Sequence, residues 1–401
     1  MIFLLACPGP PPVDSGELPV GEIPLTPSLP APLEVEGRAH TVEVLDGELV
    51  IGVPSPGHVL IGELLVEGVE SFGTEMTLGD LDGDGIAEVL VGAPLLTDTI
   101  NDQGGVLLFD RSGQELGGAL GRSIGEQLGR GLTAGDFDGD GLDEVAAGAP
   151  FALSGAEIIG AGAIVLLDEG EETWIEGTID RGELGWALAA GDLDGDGVDD
   201  LAACAANHFD DGAVLVWIDG DEPLLIEAER GEQDFTRGVK SGDVDGDGLD
   251  DLVVTVGPEF AESERAATTF VLTRQLEDGL LDEQATAWFE LDEDPLATQG
   301  QHVRLADLDG DGTADLVIGN TELPTVEGDP TGGELRAWYG PVTGRMTDPD
   351  WSRRGTELAQ GLGRAVAVGE LEGTPGTTLF LSSWSSEGTT FYRKRLAGPI
   401  R

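Results

Sequence analysis

The sequence predicts an all-β protein: a seven-bladed β-propeller of four-stranded antiparallel blades, its ring closed by an N-terminal strand. Three observations lead there. An acidic loop running into an apolar segment recurs five times, as GDLDGDGIAEVLVGAP (79–94), GDFDGDGLDEVAAGAP (135–150), GDLDGDGVDDLAACAA (191–206), GDVDGDGLDDLVVTVGP (242–258) and ADLDGDGTADLVIGN (306–320). Successive loops begin 56, 56, 51 and 64 residues apart, a period expected of stacked or radially repeated units. Each unit carries short β-branched or aromatic runs bounded by glycine, which read as strands, and four such strands make one propeller blade.

The elements follow in chain order. Residues 1–7, MIFLLAC, resemble the end of a lipoprotein signal with Cys7 as the lipid-bearing residue, although the apolar run is short and no basic segment precedes it. Residues 8–31 carry proline throughout and read as an extended tether. The propeller occupies 32–401. Its first unit, 40–68, keeps the strand order with a shortened loop. In each of the five full units a segment such as TEMTLG leads into the acidic loop, and a run such as EVLVGAP leaves it. A third strand follows: GVLLF (105–109), AIVLL (163–167), AVLVWI (213–218), TTFVL (268–272) or LRAWY (335–339). A fourth lies before the next repeat, as in EPLLIEAERG (222–231). The last unit, 362–395, has Glu370 and Glu372 where the others have aspartates, and only three clear strands. PLEVEG (32–37) supplies the missing one, removing an exposed edge.

The acidic loops have the chemistry of a hard-cation site. Calcium takes roughly six to eight oxygens, and alternating aspartates on a glycine-rich turn can converge on one centre. The ligands are then Asp80, Asp82, Asp84, the carbonyl of Ile86 and Glu88 in the first loop, and Asp136, Asp138, Asp140, Leu142 and Glu144 in the second. The third offers Asp192, Asp194, Asp196, Val198 and Asp200, the fourth Asp243, Asp245, Asp247, Leu249 and Asp251, and the fifth Asp307, Asp309, Asp311, Thr313 and Asp315. About five Ca²⁺ ions are expected. An EF-hand begins the same way but needs an acid at its twelfth position and flanking helices. Here that position is Val91, Ala147, Ala203, Val254 or Ile318, and the flanks read as strands.

With Phe72-Gly73 and Gly92-Ala93-Pro94 around the first loop, and Leu128-Gly129 and Gly148-Ala149-Pro150 around the second, the chain resembles the calcium-binding FG-GAP repeat of the integrin α-subunit propeller. That repeat also occurs in bacterial surface and secreted proteins. The resemblance implies loops joining the first and second strands on a lower face, with ligands taken on the upper face. It does not extend to leg-like domains, a membrane span or a DxSxS metal motif, so no integrin-type heterodimer is expected.

A net charge of −58 excludes nucleic acid and anionic membrane surfaces as partners. Five divalent ions would offset only ten of those charges, so solvation must account for most of the acidity. Cys204, in LAACAA, is expected to be a buried thiol. His40, His58, His208 and His302 are isolated in sequence, and no zinc-protease, nucleophile-elbow or phosphate-loop motif accompanies them. Trp217 and Trp338 fall in third strands as core residues. Phe151, His208, Phe209 and Phe260, in variable loops after the second strands, either contact a ligand or fold back onto their blades. The expected function is a non-catalytic, extracytoplasmic adhesion or recognition module, monomeric, binding a protein or glycan on its loop face, lipid-anchored in a bacterial envelope or secreted. The alternative is a propeller-fold polysaccharide lyase or hydrolase using acidic residues of the channel or upper face.

Overall fold

The structure, a computed structural model, describes residues 33–36, 38–154, 158–207, 212–220, 222–228, 234–258, 268–273, 276–290, 302–320, 333–354, 362–371, 374–385 and 388–395. The signal and tether expectations, Cys7, His208, Phe209, Phe260 and Glu372 lie outside these residues, as does the side chain of Glu370.

Alternation and β-branching give strands, and the strands pair into seven sheets. Six are each built mainly from one stretch of chain. Residues 75–120 are typical: Glu75–Gly79, Glu88–Gly92, Gly105–Phe109 and Glu115–Leu120 pair antiparallel in that order. The seventh joins both ends of the chain. Leu33–Val35 pairs antiparallel with Gly388–Arg395, which continues through Thr374–Ser385 to Val366–Leu371.

Two sheets acquire a fifth strand that the sequence did not suggest. Gly279–Leu280 adds parallel to Leu224–Glu227, and Gly344–Arg345 adds parallel to Ala287–Glu290. Both lie between the third and fourth strands of the following unit. Each therefore covers the outer edge of its neighbour, where unpaired backbone groups would otherwise be exposed.

The first strands of the sheets lie side by side in a closed cycle. Thr41–Leu45 neighbours Glu75–Gly79, then come Leu132–Gly135, Leu184–Gly191, Asp234–Gly242, His302–Ala306 and Val366–Leu371, which returns to Thr41–Leu45. Their starting ends surround one cavity, the mouth of a central channel, which His40, Arg130, Trp186, Lys240, His302 and Arg364 help to line. Histidines far apart in sequence are thus brought to one place.

Second strands such as EVLVG, EVAAGA and DLAACA are buried along their whole length, because neighbouring sheets cover both their faces. One inter-sheet cluster joins Leu90 and Val106 to Leu132, Val145 and Ala147; another joins Cys204 and Val214 to Val239 and Val254. The Cys204 thiol is free and buried, and burial pushes its pKa up to about 12. Phe72 is fully buried and meets Phe109 edge to face at 5.8 Å. His58 is buried at the start of its strand.

The glycines around the acidic loops are required by contact between sheets. A Cβ on Gly92 would lie 2.2 Å from the carbonyl oxygen of Gly129 in the next unit, and one on Gly148 would lie 1.9 Å from that of Gly185. Backbone meets backbone there, and no side chain can move aside.

The loops themselves are tied in series. The Asp143 N–H donates to the Asp80 carbonyl at 3.0 Å, while the Asp80 N–H donates to the Asp143 carboxylate at 2.8 Å. Asp199 and Asp136 repeat the exchange at 2.8 and 3.1 Å. The Asp250 N–H reaches the Asp192 carbonyl, and the Ala314 N–H reaches that of Asp243, at 2.9 and 2.7 Å. The eighth position of each later loop thus holds the first position of the loop before it.

Two outcomes follow from this packing. Gly148→Ala should destabilise the protein by about 2–3 kcal/mol through backbone overpacking, read as a lowered denaturant midpoint. The second concerns His302, whose pKa falls from 6.5 to about 3 through burial, then Arg364, Arg304 and His40. The unfolded chain takes up this proton near pH 6.5 and the folded chain does not, so stability is lost as pH falls from about 6.5 towards 3. His302→Gln should give a shallower loss than the parent protein across that window in acid titration of unfolding; equal slopes would refute the assignment.

Candidate metal centres

Each acidic loop follows the end of an inner strand, opposite the channel mouth. Its local conformation is dictated by its aspartates and glycines. In the second loop, Asp136 accepts the N–H groups of Gly139 (2.7 Å), Asp140 (3.1 Å) and Gly141 (2.9 Å). Asp138 accepts the Asp140 N–H at 3.1 Å, and Asp140 accepts the Leu142 N–H at 2.9 Å. Gly139 and Gly141 have φ of 76° and 92°, the left-handed region where a Cβ is disfavoured. These carboxylate-to-backbone turns curl the chain around its own acidic groups.

The ninth position closes the loop. Glu88, Glu144, Asp200, Asp251 and Asp315 each begin a second strand, are buried, and accept the N–H of the loop's second residue, at 2.7–3.0 Å. The remaining oxygen of Asp315 accepts the Gly340 N–H at 2.8 Å.

The carboxylates converge in all five loops. Oxygens of Asp80, Asp82 and Glu88 lie within 4.8 Å of one another, as do those of Asp136, Asp138 and Glu144, and of Asp243, Asp245 and Asp251. In the third and fifth loops the groups are Asp192, Asp194 and Asp196, and Asp307, Asp309 and Asp311. The fifth-position residues Asp84, Asp140 and Asp247 each accept the seventh-position N–H, as do Asp196 and Asp311.

The electrostatics are those of crowded anions. Burial first, then the neighbouring aspartates, pushes Glu144 and Asp251 up to about 7 and Asp200 and Asp315 up to about 6. Asp80 Oδ1 is buried with no hydrogen-bond donor. An orphaned carboxylate oxygen beside converging acids is the donor set that suits a hard divalent cation, so the residues fit such an ion.

Aspartates at the eighth position went unnoticed in the sequence. Asp143 and Asp199 lie outside the converging groups and bond to the preceding loop. Their signal is legible: this position is acidic in the second, third and fourth loops, whereas Ala87 and Ala314 occupy it in the first and fifth. The glycine opening the second motif belongs to the same contact, because a Cβ on Gly135 would lie 2.5 Å from the Asp199 carboxylate. Gly191 stands in the same relation to Asp250, also at 2.5 Å.

Phe151 folds back, its ring edge-to-face with Trp186 at 6.0 Å. Among the described residues no helix is long and apolar enough to cross a membrane.

The FG-GAP repeat family matches residues 72–109, 128–167 and 184–217, and the FG-GAP-like repeat family matches 243–318. Among curated proteins the chain is similar to integrin alpha-PS2 of Drosophila melanogaster, 27% identical over 216 residues covering 46% of this chain and 15% of that protein. Integrin alpha-PS5 of the same organism is 34% identical over 191 residues, 41% of this chain and 17% of that protein. Integrin alpha-4 of Xenopus laevis is 31% identical over 164 residues, 36% and 15%. The matched region is thus less than a fifth of the length of each of these relatives. With its repeated acidic loops, interlocking glycines and ring of sheets, the chain is an FG-GAP repeat protein with an integrin-α-like propeller.

Proposed function

We propose that this protein is a calcium-stabilised, non-catalytic recognition or adhesion module working outside the cytoplasm, as a surface-anchored or secreted protein. The observation that carries the metal reading is the repetition of one closed acidic turn in five loops, with a buried Asp80 oxygen that no protein donor meets. The five ligands proposed for each loop are its first, third, fifth and ninth side chains and its seventh carbonyl: for the second loop Asp136, Asp138, Asp140, Glu144 and the carbonyl of Leu142. Calcium would neutralise their mutual repulsion and fix the turn. We read the closed cycle of inner strands as seven blades, with Leu33–Val35 completing the last.

The recognition reading is supported by similarity to integrin α-subunits and by the character of the end opposite the loops. Leu95, Ile124, Leu153 and Ile159 are exposed there, in the connections that follow the second strands or link one sheet to the next. A protein or glycan partner would dock on this end. The polysaccharide-cleaving alternative, which calls on acidic residues of the channel or upper face, gains no support: among the described residues the channel cavity is lined by a single carboxylate, Glu75, beside four cationic side chains.

At free calcium ten times Kd, each site contributes about 1.4 kcal/mol, so five independent sites contribute about 7 kcal/mol. Chelation in low-salt buffer should therefore lower Tm by about 10 °C or more, and calcium, not sodium at equal ionic strength, should restore it. An unchanged Tm would overturn the metal reading. Asp199→Ala removes a charge-assisted bond to the Asp136 N–H and should cost about 1–2 kcal/mol with weakened calcium uptake. Asp199→Asn keeps an acceptor, so its loss should be smaller; paired melting and calcium titrations would rank the two.

A further inference from the structure

In a chain of 78 acidic and 20 basic residues, the channel mouth reverses the balance. A cavity of about 270 Å³ there is lined, among the described residues, by Arg130, Lys240, Arg304 and Arg364 and by one carboxylate, Glu75. We infer that this cavity is a binding site for a small organic oxyanion, a carboxylate or phosphate carried on a body about the size of a hexose.

The cations come from separate sheets and are already positioned. Arg130 stacks on the Trp186 ring at 4.4 Å from its centroid, and Trp186 is braced by Phe151. Arg304 donates through Nε to the Val366 carbonyl at 3.1 Å and pairs with Glu43 at 3.4 Å. Lys240 is half-buried, and among the described residues its ammonium makes no hydrogen bond or ion pair within bonding distance. Burial and Arg304 both disfavour its charge, while Glu75 and Glu43 favour it. A desolvated ammonium without an acceptor is costly, and an entering oxyanion would supply one.

The surrounding potential is consistent with this. Burial, Arg364, Arg38 and Arg130 hold His40 down at about 4, so the site excludes further positive charge. Guanidinium forks match the planar edge of a carboxylate and the oxygens of a phosphate bidentately, which a hydrated surface lysine does not. The volume is close to that of about nine liquid waters, enough for one sugar ring and too small for a folded segment. Distant surface acidity repels anions, but salt screens it beyond a Debye length of about 8–10 Å, whereas the cavity charges act at contact.

The inference rests on the recognition reading for its biological use, but its readout does not depend on the metal. Isothermal titration of the full chain in calcium-containing buffer with glucuronate, glucose 6-phosphate and glucose is the test. At least one of the two anions should bind measurably and glucose should not, the better anion identifying the acid group. Lys240→Gln should weaken that anion at least about tenfold with little change in Tm. If that variant does not fold, Arg130→Gln should give the same weakening. Neither anion exceeding glucose, or a folded variant binding as well as the parent, would overturn the site. Failure of the calcium reading would appear separately, as an unchanged Tm on chelation.

Discussion

Several carboxylates confined to one turn repel each other, and the loop end of this ring is organised around that repulsion. Part of the answer is local, because backbone N–H groups are recruited onto the aspartates in every loop. Part is contributed by the neighbouring sheet. A peptide unit is planar and trans, so its C=O points opposite to its N–H. The unit joining positions seven and eight has its N–H held by the previous loop's first carbonyl, at Asp143, Asp199, Asp250 and Ala314. The carbonyl proposed as a ligand belongs to that same unit, so its direction is set from outside its own loop. The proposed cation coordination and the spacing of sheets are therefore one constraint.

Most of this was legible in the sequence because the relevant signals are local. The acidic turn, the apolar run after it and the glycine-bounded third strand each specify conformation within about ten residues, and repetition removes ambiguity. Glu88 and its equivalents were placed at the ninth position from spacing alone, and they close their loops.

What was not legible depends on pairs of residues from different units. Asp199 reads as one more acid until Asp136 lies beside it. Gly148 reads only as part of the Gly-Ala-Pro bracket until the Gly185 carbonyl is found against it. His40 and His302 are 262 positions apart in number, as the sequence shows, and only ring closure brings them to a shared cavity. The parallel additions Gly279–Leu280 and Gly344–Arg345 are two residues long, too short for any periodicity to reveal.

The handholds between acidic loops run one way, from Ala314 back to Asp80, and among the described residues they stop there. The remaining arc contains the sheet completed by Leu33–Val35 and the sheet of Thr41–Leu45, where chain start and chain finish meet. There the circle is joined by strand pairing and by apolar contacts such as Val42 and Ile51 with Ala365 and Ala367. The hoop is therefore held in two ways: backbone handholds between acidic loops clasp one sector, while strand pairing, apolar packing and the bonds of Arg304 to Glu43 and to the Val366 carbonyl close the other.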